Sequence, residues 1–320
     1  MKILSGAGSF AAAAAAGGEA AAPLAVAIGN FDGVHLGHGA LLAEVRARAA
    51  RLGAQSAVLT FTPHPARLFA PDRAPPLIMS LERRLELIAA AGIDVAIVEP
   101  FTRAFASIDA AGFVSDVLAR DLRARAVVVG YDFSFGRGRE GTTELLRQLG
   151  AGASMEVAVI APVSVAGIPC SSTRIRELVS VGEMGSAARL LGRPFELEGV
   201  VARGAGRGRG LGFPTANLAP EGELRPKLGI YAARARVLDG ADAGATHLAA
   251  LSIGTNPTFT NPGDAATVEA YLLDFEGDLY GRRLRVEVAE RLRDERRFES
   301  IDALVAQIRE DVARVRRVLS

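Results

Sequence analysis

Cysteine occurs once in the 320 residues, at Cys170, tryptophan not at all, and lysine only at Lys2 and Lys227. A single cysteine excludes an internal disulfide framework, and its thiol reads as a small buried hydrophobe in a reducing compartment, which points to the cytoplasm. Excess charge of one sign is also absent. Lys+Arg number 37 against 36 Asp+Glu, without the basic surplus expected where the main partner is a nucleic-acid backbone. No apolar run reaches the length of a membrane span, no internal repeat is visible, and no Cys/His cluster has zinc spacing. Neither lysine lies in Gly-Lys-Ser/Thr, so there is no P-loop. Phosphate charge on any ligand must be met by backbone amides, arginines or a hard cation.

Hydrophobic residues make up 49% of the chain, ample for ordinary cores, and the length favours two of them. The stretch 1–23 is rich in Ala and Gly. Lys2 before apolar residues raises the thought of a signal peptide, but no Leu, Ile or Val occurs from Gly8 to Ala22 and Glu19 interrupts the run. The expectation is a flexible low-complexity extension. From Leu24 to about Gly182, short apolar runs alternate with amphipathic stretches, which predicts an α/β Rossmann-like domain with a mostly parallel sheet. Its strands are expected at Leu24–Ile28, Ser56–Phe61, Asp94–Val98, Ala126–Gly130 and Glu156–Ile160, and its helices include His38–Arg51 and Leu81–Ala91. After Gly192-Arg193-Pro194, period-two alternation in Tyr231–Leu238, Val268–Phe275 and Leu284–Val288 predicts an antiparallel β-barrel closed by a helix over Ile301–Leu319. The boundary is placed near Met184, giving domains 1–184 and 185–320.

The strand Leu24–Ile28 runs into Gly29-Asn30-Phe31-Asp32-Gly33-Val34-His35-Leu36-Gly37-His38 and then a helix. Two histidines three apart share one side of a first helical turn, and Gly37 lets a phosphate chain approach the backbone. The helix N-terminus adds free amides and partial positive charge, so this turn is built for an anion. Ser171-Ser172-Thr173-Arg174-Ile175-Arg176 offers hydroxyls for capping and phosphate, with Arg176 able to neutralise a leaving pyrophosphate. Three of the four histidines, His35, His38 and His64, follow strands of this domain. His64 is stiffened between two prolines. His247, within a strand of the other domain, reads as structural.

In the second domain, Gly204-Ala205-Gly206-Arg207-Gly208-Arg209-Gly210 leaves backbone amides unshielded for phosphate. Glycine-rich segments are more often plain flexible turns. Further on, Val268, Ala270 and Leu272 share one strand face while Glu269, Tyr271 and Leu273 share the other. The Glu269 carboxylate, expected to point into the barrel mouth, reads either as a general base or as a surface residue.

Gly29–His38, Phe61–Pro65, Val129–Gly136 and Ser171–Arg176 resemble the FAD synthetase domain of prokaryotic bifunctional riboflavin kinase/FAD synthetases. Pro214-Thr215-Ala216-Asn217 resembles the riboflavin kinase signature, and the likeness continues through Gly229–Ala232, Ile253–Phe259, Val268–Phe275, Asp278–Gly281 and Leu292–Glu295. The resemblance implies phosphorylation of riboflavin by ATP, then adenylyl transfer from ATP to FMN, giving FAD and pyrophosphate. It implies an ATP site on His35, His38, Ser172, Thr173 and Arg176, with Gly29, Phe31 and Gly37 in the same motif. His64, Asp132 and Phe133 would line a flavin pocket, with a plain turn residue as the lesser reading of Asp132. For the kinase it implies ATP contacts from Gly206, Gly208, Gly210 and Asn217, Mg²⁺ held by Thr215 and Asn217, and Glu269 as base. Partners are then small molecules alone: ATP, riboflavin, FMN and FAD. The chain departs from the family pattern at Cys170, at Glu140-Gly141-Thr142 and in its long leader.

Two other readings compete. An HxGH turn also serves class I aminoacyl-tRNA synthetases, against which the neutral charge and the kinase-like barrel count. A flavin sensor or RNA-binding barrel would bind without turnover, against which Glu269 and Thr215 count. No feature of the sequence sets an oligomeric state.

Overall fold

The computed structural model describes residues 1–15, 22–203, 212–220, 222, 224–254 and 267–320. The chain divides into two compact units, Met1–Pro75 with Leu81–Cys170, and Pro76–Ser80 with Ser171–Ser320.

Apolar runs too short for helices and buried on both faces become parallel strands. The first unit opens with β1 (Lys2–Ser5) and α1 (Ala7–Ala15), followed by β2 (Leu24–Ile28), α2 (Leu36–Leu52) and β3 (Gln55–Thr62). Next come α3 (Pro65–Phe69), α4 (Leu81–Ala90) and β4 (Val95–Pro100). Two short turns, α5 (Arg103–Ala106) and α6 (Ala110–Gly112), lead into a wide helical stretch over Phe113–Asp121. The unit ends with β5 (Ala124–Gly130), α7 (Thr143–Gly152), β6 (Glu156–Ile160) and the small hairpin β7 (Ser164–Val165) and β8 (Ile168–Pro169). The sheet order is β1-β4-β3-β2-β5-β6, with every pairing parallel. All five residues of β2 are buried. One face packs under α1 and the 113–121 stretch, with Phe10, Phe113 and Leu118 among its core. The other packs under α2 and α4 through Leu42, Val45, Leu85 and Ile88.

The N-terminus departs from its expected flexibility. Lys2 to Ser5 pair in register with Val95 to Val98 as an edge strand, and Phe10 of α1 is fully buried. A four-residue edge strand has no signature of its own, because its pairing partner is remote in sequence. Residues 16–21 of the expected extension lie outside the described residues.

The second unit begins with α8 (Ser172–Val181) and α9 (Met184–Leu191). Its barrel comprises β9 (Phe195–Ala202), β10 (Ala216–Pro220), β11 (Gly229–Val237), β12 (Thr246–Gly254), β13 (Thr267–Leu272) and β14 (Arg283–Arg293). The closed order is β10-β13-β12-β11-β14-β9, and α10 (Ile301–Leu319) follows. Closure removes sheet edges. Ala249, Leu251 and Ile253 of β12, with Val268, Ala270 and Leu272 of β13, form buried inner rows. Outside, α10 packs over Ile230, Ala232, Leu248, Ala250 and Tyr271 through Val312, Val315, Val318 and Leu319. α8 groups with this unit, whereas the sequence reading draws the boundary at Met184. Its buried stripe of Ile175, Leu178 and Val179 is not self-sufficient, and the Lys227 amide donates to the Val179 carbonyl at 3.3 Å.

Candidate active sites

In an open parallel sheet, ligands bind beyond the carboxyl ends of the strands where the winding order reverses. Here that point lies between β2 and β5, since β3 and β4 extend the sheet on one side and β6 on the other. The Gly29–His38 turn leaves β2 there. Its backbone is strained: Phe31 has φ 51° and Val34 φ 36°, and a β-branched residue in that region is a genuine outlier. His35 caps α2, its Nδ1 accepting the His38 amide at 3.3 Å. The two imidazoles stack with centroids 3.7 Å apart, and His38 also leans on Phe31 at 5.2 Å. A Cβ at Gly37 would meet the His35 ring at 3.0 Å and the Cys170 carbonyl at 3.2 Å. The close approach of His35 itself therefore favours glycine here, in addition to any phosphate.

Beneath the turn, Asp32 is 1% exposed and Arg84 of α4 is 4% exposed. Burial holds the Arg84 guanidinium below the ordinary arginine range while the Asp32 charge opposes that shift. Sequence reading did not single out this pair. The signal was Arg84 on the apolar stripe of α4, between Leu81, Leu85 and Ile88.

After β5, Tyr131 and Asp132 are exposed and Phe133 is half-buried. The Phe133 amide donates to the Gly130 carbonyl at 3.1 Å, so Asp132 sits in a turn. Phe133 stacks on Phe135 at 5.6 Å and 14°. It ends a series of seven rings, Phe61, Phe69, Phe101, Phe105, Phe113, Phe135 and Phe133, with neighbouring centroids 5.5–6.2 Å apart. Phe61, Phe101 and Phe133 leave the carboxyl ends of β3, β4 and β5, and Phe69 is 67% exposed at the other end of the series. Half of the 14 phenylalanines thus gather at one sheet end, which spacing in the chain did not reveal. His64 caps α3, its Nδ1 accepting the Ala66 amide at 3.2 Å.

In the second unit, Ser171 caps α8 by accepting the Arg174 amide at 3.1 Å. Ser172 is half-buried, Thr173 is exposed, and the Arg176 Nε donates to the Pro76 carbonyl at 2.8 Å. The imidazole pair and this segment belong to different units.

The barrel carries its own constellation. Asn217 of β10 and Ser252 of β12 stand directly opposite Glu269 of β13, one on each side. The Thr215 hydroxyl donates to Glu269 Oε2 at 3.1 Å, joining two groups 54 residues apart. Because Val268 and Ala270 face the interior, Glu269 stands on the outer wall of the barrel and not over its mouth. Periodicity separates the two faces of a strand, but only closure decides which is inside. Phe213 lies edge-on to Tyr271 at 5.4 Å, beside the same outer row. His247 packs edge-on to Phe275 at 5.1 Å. Gly206, Gly208 and Gly210 lie outside the described residues. Among the described residues, no three His, Cys, Asp or Glu side chains gather as a metal site, whereas Thr215 and Asn217 offer the oxygen donors that suit a hard divalent cation.

Comparison with known proteins matches each part separately. The family model for FAD synthetase covers residues 18–174, and that for riboflavin kinase covers residues 191–319. Bifunctional riboflavin kinase/FMN adenylyltransferases of Escherichia coli K12 and Listeria monocytogenes are each 38% identical, over 285 and 288 residues, spanning 89% of this chain and 89% of theirs. The same-named protein of Haemophilus influenzae is 34% identical over 288 residues, covering 90% of this chain and 92% of its own. A solved structure described as a macrolide-efflux protein from Streptococcus pneumoniae shares the fold at TM-score 0.81, with 30% identity over 92% of this chain and 94% of that one. Efflux is said of that protein; no helix among the described residues here is long and apolar enough to cross a membrane. With both parts matched in order and the curated relatives spanned over nine-tenths of their length, the chain belongs to the bifunctional riboflavin kinase/FMN adenylyltransferase family, enzymes that carry out both steps of flavin cofactor synthesis.

Proposed function

We propose that Glu269, Thr215 and Asn217 carry the riboflavin kinase step and that the strained turn holding His35 and His38 carries adenylyl transfer. The observation that carries the first assignment is the Thr215 hydroxyl bonded to Glu269 Oε2 at 3.1 Å with Asn217 directly opposite. A hydroxyl that donates its proton to a carboxylate keeps its lone pairs for a cation. Thr215 and Asn217 accordingly hold Mg²⁺ bound to the ATP phosphates; the ion draws charge from the γ-phosphoryl group when bound. Glu269 accepts the proton of the riboflavin 5′-hydroxyl as its oxygen bonds to the γ-phosphorus, and the bond to the ADP oxygen breaks.

Adenylyl transfer needs no base, because the FMN phosphate is already ionised. Its oxygen bonds to the α-phosphorus of ATP and pyrophosphate leaves. The work falls to positioning and charge stabilisation. The strained Gly29–His38 turn at the switch point, with Gly29 and Phe31 in it, supports a nucleotide phosphate site, and family resemblance supports nucleotide contacts for Ser172, Thr173 and Arg176. The seven-phenylalanine series beside Asp132 and Phe133 supports a flat aromatic ligand, the flavin. His64 belongs to the same sheet end.

The test is chromatography of the flavins made from riboflavin, ATP and Mg²⁺ by the wild type and by Glu269→Gln. The variant, given riboflavin, is expected to make FMN about 10²–10⁴ times more slowly, and given FMN to make FAD near the wild-type rate. FMN production at the wild-type rate overturns the assignment of the base.

A further inference from the structure

The outward row of β12 shrinks along the strand, from Leu248 through Ala250 and Ser252 to Gly254, since alternate residues share a face. Leu248 and Ala250 pack beneath α10. At the far end a Cβ on Gly254 would collide with the Glu295 carboxylate, so that carboxylate lies over the glycine. Between them stands Ser252, with Glu269 directly across on β13 and Ile230 directly across on β11. Cross-strand neighbours of this kind have Cβ atoms about 4.5–5.5 Å apart. Glu269 has its Oε2 engaged by Thr215, on the side away from β12, because β10 and β12 flank β13 on opposite edges.

A shelf of small side chains therefore adjoins the carboxylate. It is polar toward Glu269 and Glu295, and apolar toward Ile230 and Tyr271, both of which pack with the α10 cluster. Those two characters match a molecule whose polyhydroxy chain is joined to a flat apolar ring. Ser252 is the polar side chain of that shelf, and no motif of the sequence reading covers it.

We propose that Ser252 is a specificity-determining residue of the kinase step, its hydroxyl bonding a chain hydroxyl of riboflavin beside the alcohol that Glu269 addresses. The inference rests on the reading of Glu269, Thr215 and Asn217 as the kinase site. A small hydroxyl here does two things at once: it supplies one neutral hydrogen bond, and it leaves the room that a larger side chain would fill.

The test is steady-state kinetics of Ser252→Ala, Ser252→Val and Glu269→Gln on the full chain, with riboflavin and ATP varied separately and thermal melts to verify folding. Loss of one neutral hydrogen bond is expected to raise the riboflavin KM of Ser252→Ala roughly 3- to 10-fold, leaving the ATP KM and the FAD-forming rate from FMN unchanged. Ser252→Val, which also fills the shelf, is expected to raise the riboflavin KM further. If Glu269→Gln is inactive as a kinase and Ser252→Ala keeps its riboflavin KM, or raises the ATP KM as much, Ser252 has no part in acceptor recognition. If Glu269→Gln retains wild-type kinase activity, the underlying reading of the site fails instead.

Discussion

His35 is buried and its Nδ1 accepts the His38 amide, an arrangement that leaves Nε2 to carry the ring proton in the neutral form. Its role is then to shape the turn and hold the stacked His38 ring in place. On the proposed assignment, replacing His38 with Ala removes one preorganised contact to developing phosphate charge. FAD formation from FMN should fall on the order of 10²–10³, with FMN formation from riboflavin retained in the same preparation. Equal loss of both activities in a folded variant would contradict this division. Arg84 offers a different kind of residue-scale test. Arg84→Met removes the buried cation whose charge acts on Asp32 while keeping the apolar stem. Thermal melts should show a large loss in the single variant, substantially recovered when Asp32→Asn is added. A single variant melting like the wild type would show that the two charges are not coupled.

At the scale of elements, α1 is tied to the sheet by a carboxylate as well as by the buried Phe10. The Ala7 amide donates to Glu99 Oε2 at 2.7 Å, while burial raises the Glu99 carboxyl above its ordinary 4.5 and the Ala7 bond only partly opposes this. The folded chain therefore binds this proton more tightly than the unfolded chain. The stabilisation linked to it is full below the unfolded value and is lost as pH rises through the folded one. Glu99→Gln keeps an acceptor for Ala7 without the buried charge, so it should raise Tm at pH 7.5, with the gain shrinking toward pH 4; a gain independent of pH would assign the effect elsewhere. The terminal helix is held in a comparable way. Asp311 of α10 is 3% exposed and accepts from Arg293 Nη2 at 2.7 Å and from Gln307 Nε2 at 3.0 Å. Asp311→Ala should cost about 3–5 kcal/mol, read as a lowered unfolding midpoint. Little of these connections was legible beforehand. The range of α10 was read correctly from its 3.6-residue period, but its tether to Arg293 joins residues that no periodicity relates.

At the scale of the whole molecule, the FAD synthetase and riboflavin kinase matches fall on separate stretches of the chain, so the two reactions are expected to be separable. Mixing His38→Ala with Glu269→Gln should restore FAD from riboflavin, after a lag while the first variant accumulates FMN for the second. Persistent absence of FAD from the mixture would mean that FMN is not passed through solution. The sequence by itself determined the α/β-then-barrel order, since short apolar runs such as Leu24–Ile28 and the alternation around Glu269 are local signals that survive without tertiary context. It also determined the chemistry on offer, because the His35/His38 turn and Pro214–Asn217 bring their groups together within a few residues. Tertiary structure alone decided the rest. It paired Lys2–Ser5 with β4, grouped α8 with the barrel unit, gathered seven phenylalanines at one sheet end, buried Arg84 beside Asp32, and turned Glu269 to the outer wall between Asn217 and Ser252. Each of these depends on contacts between residues remote in the chain, where register and closure choose the partner and no local pattern can.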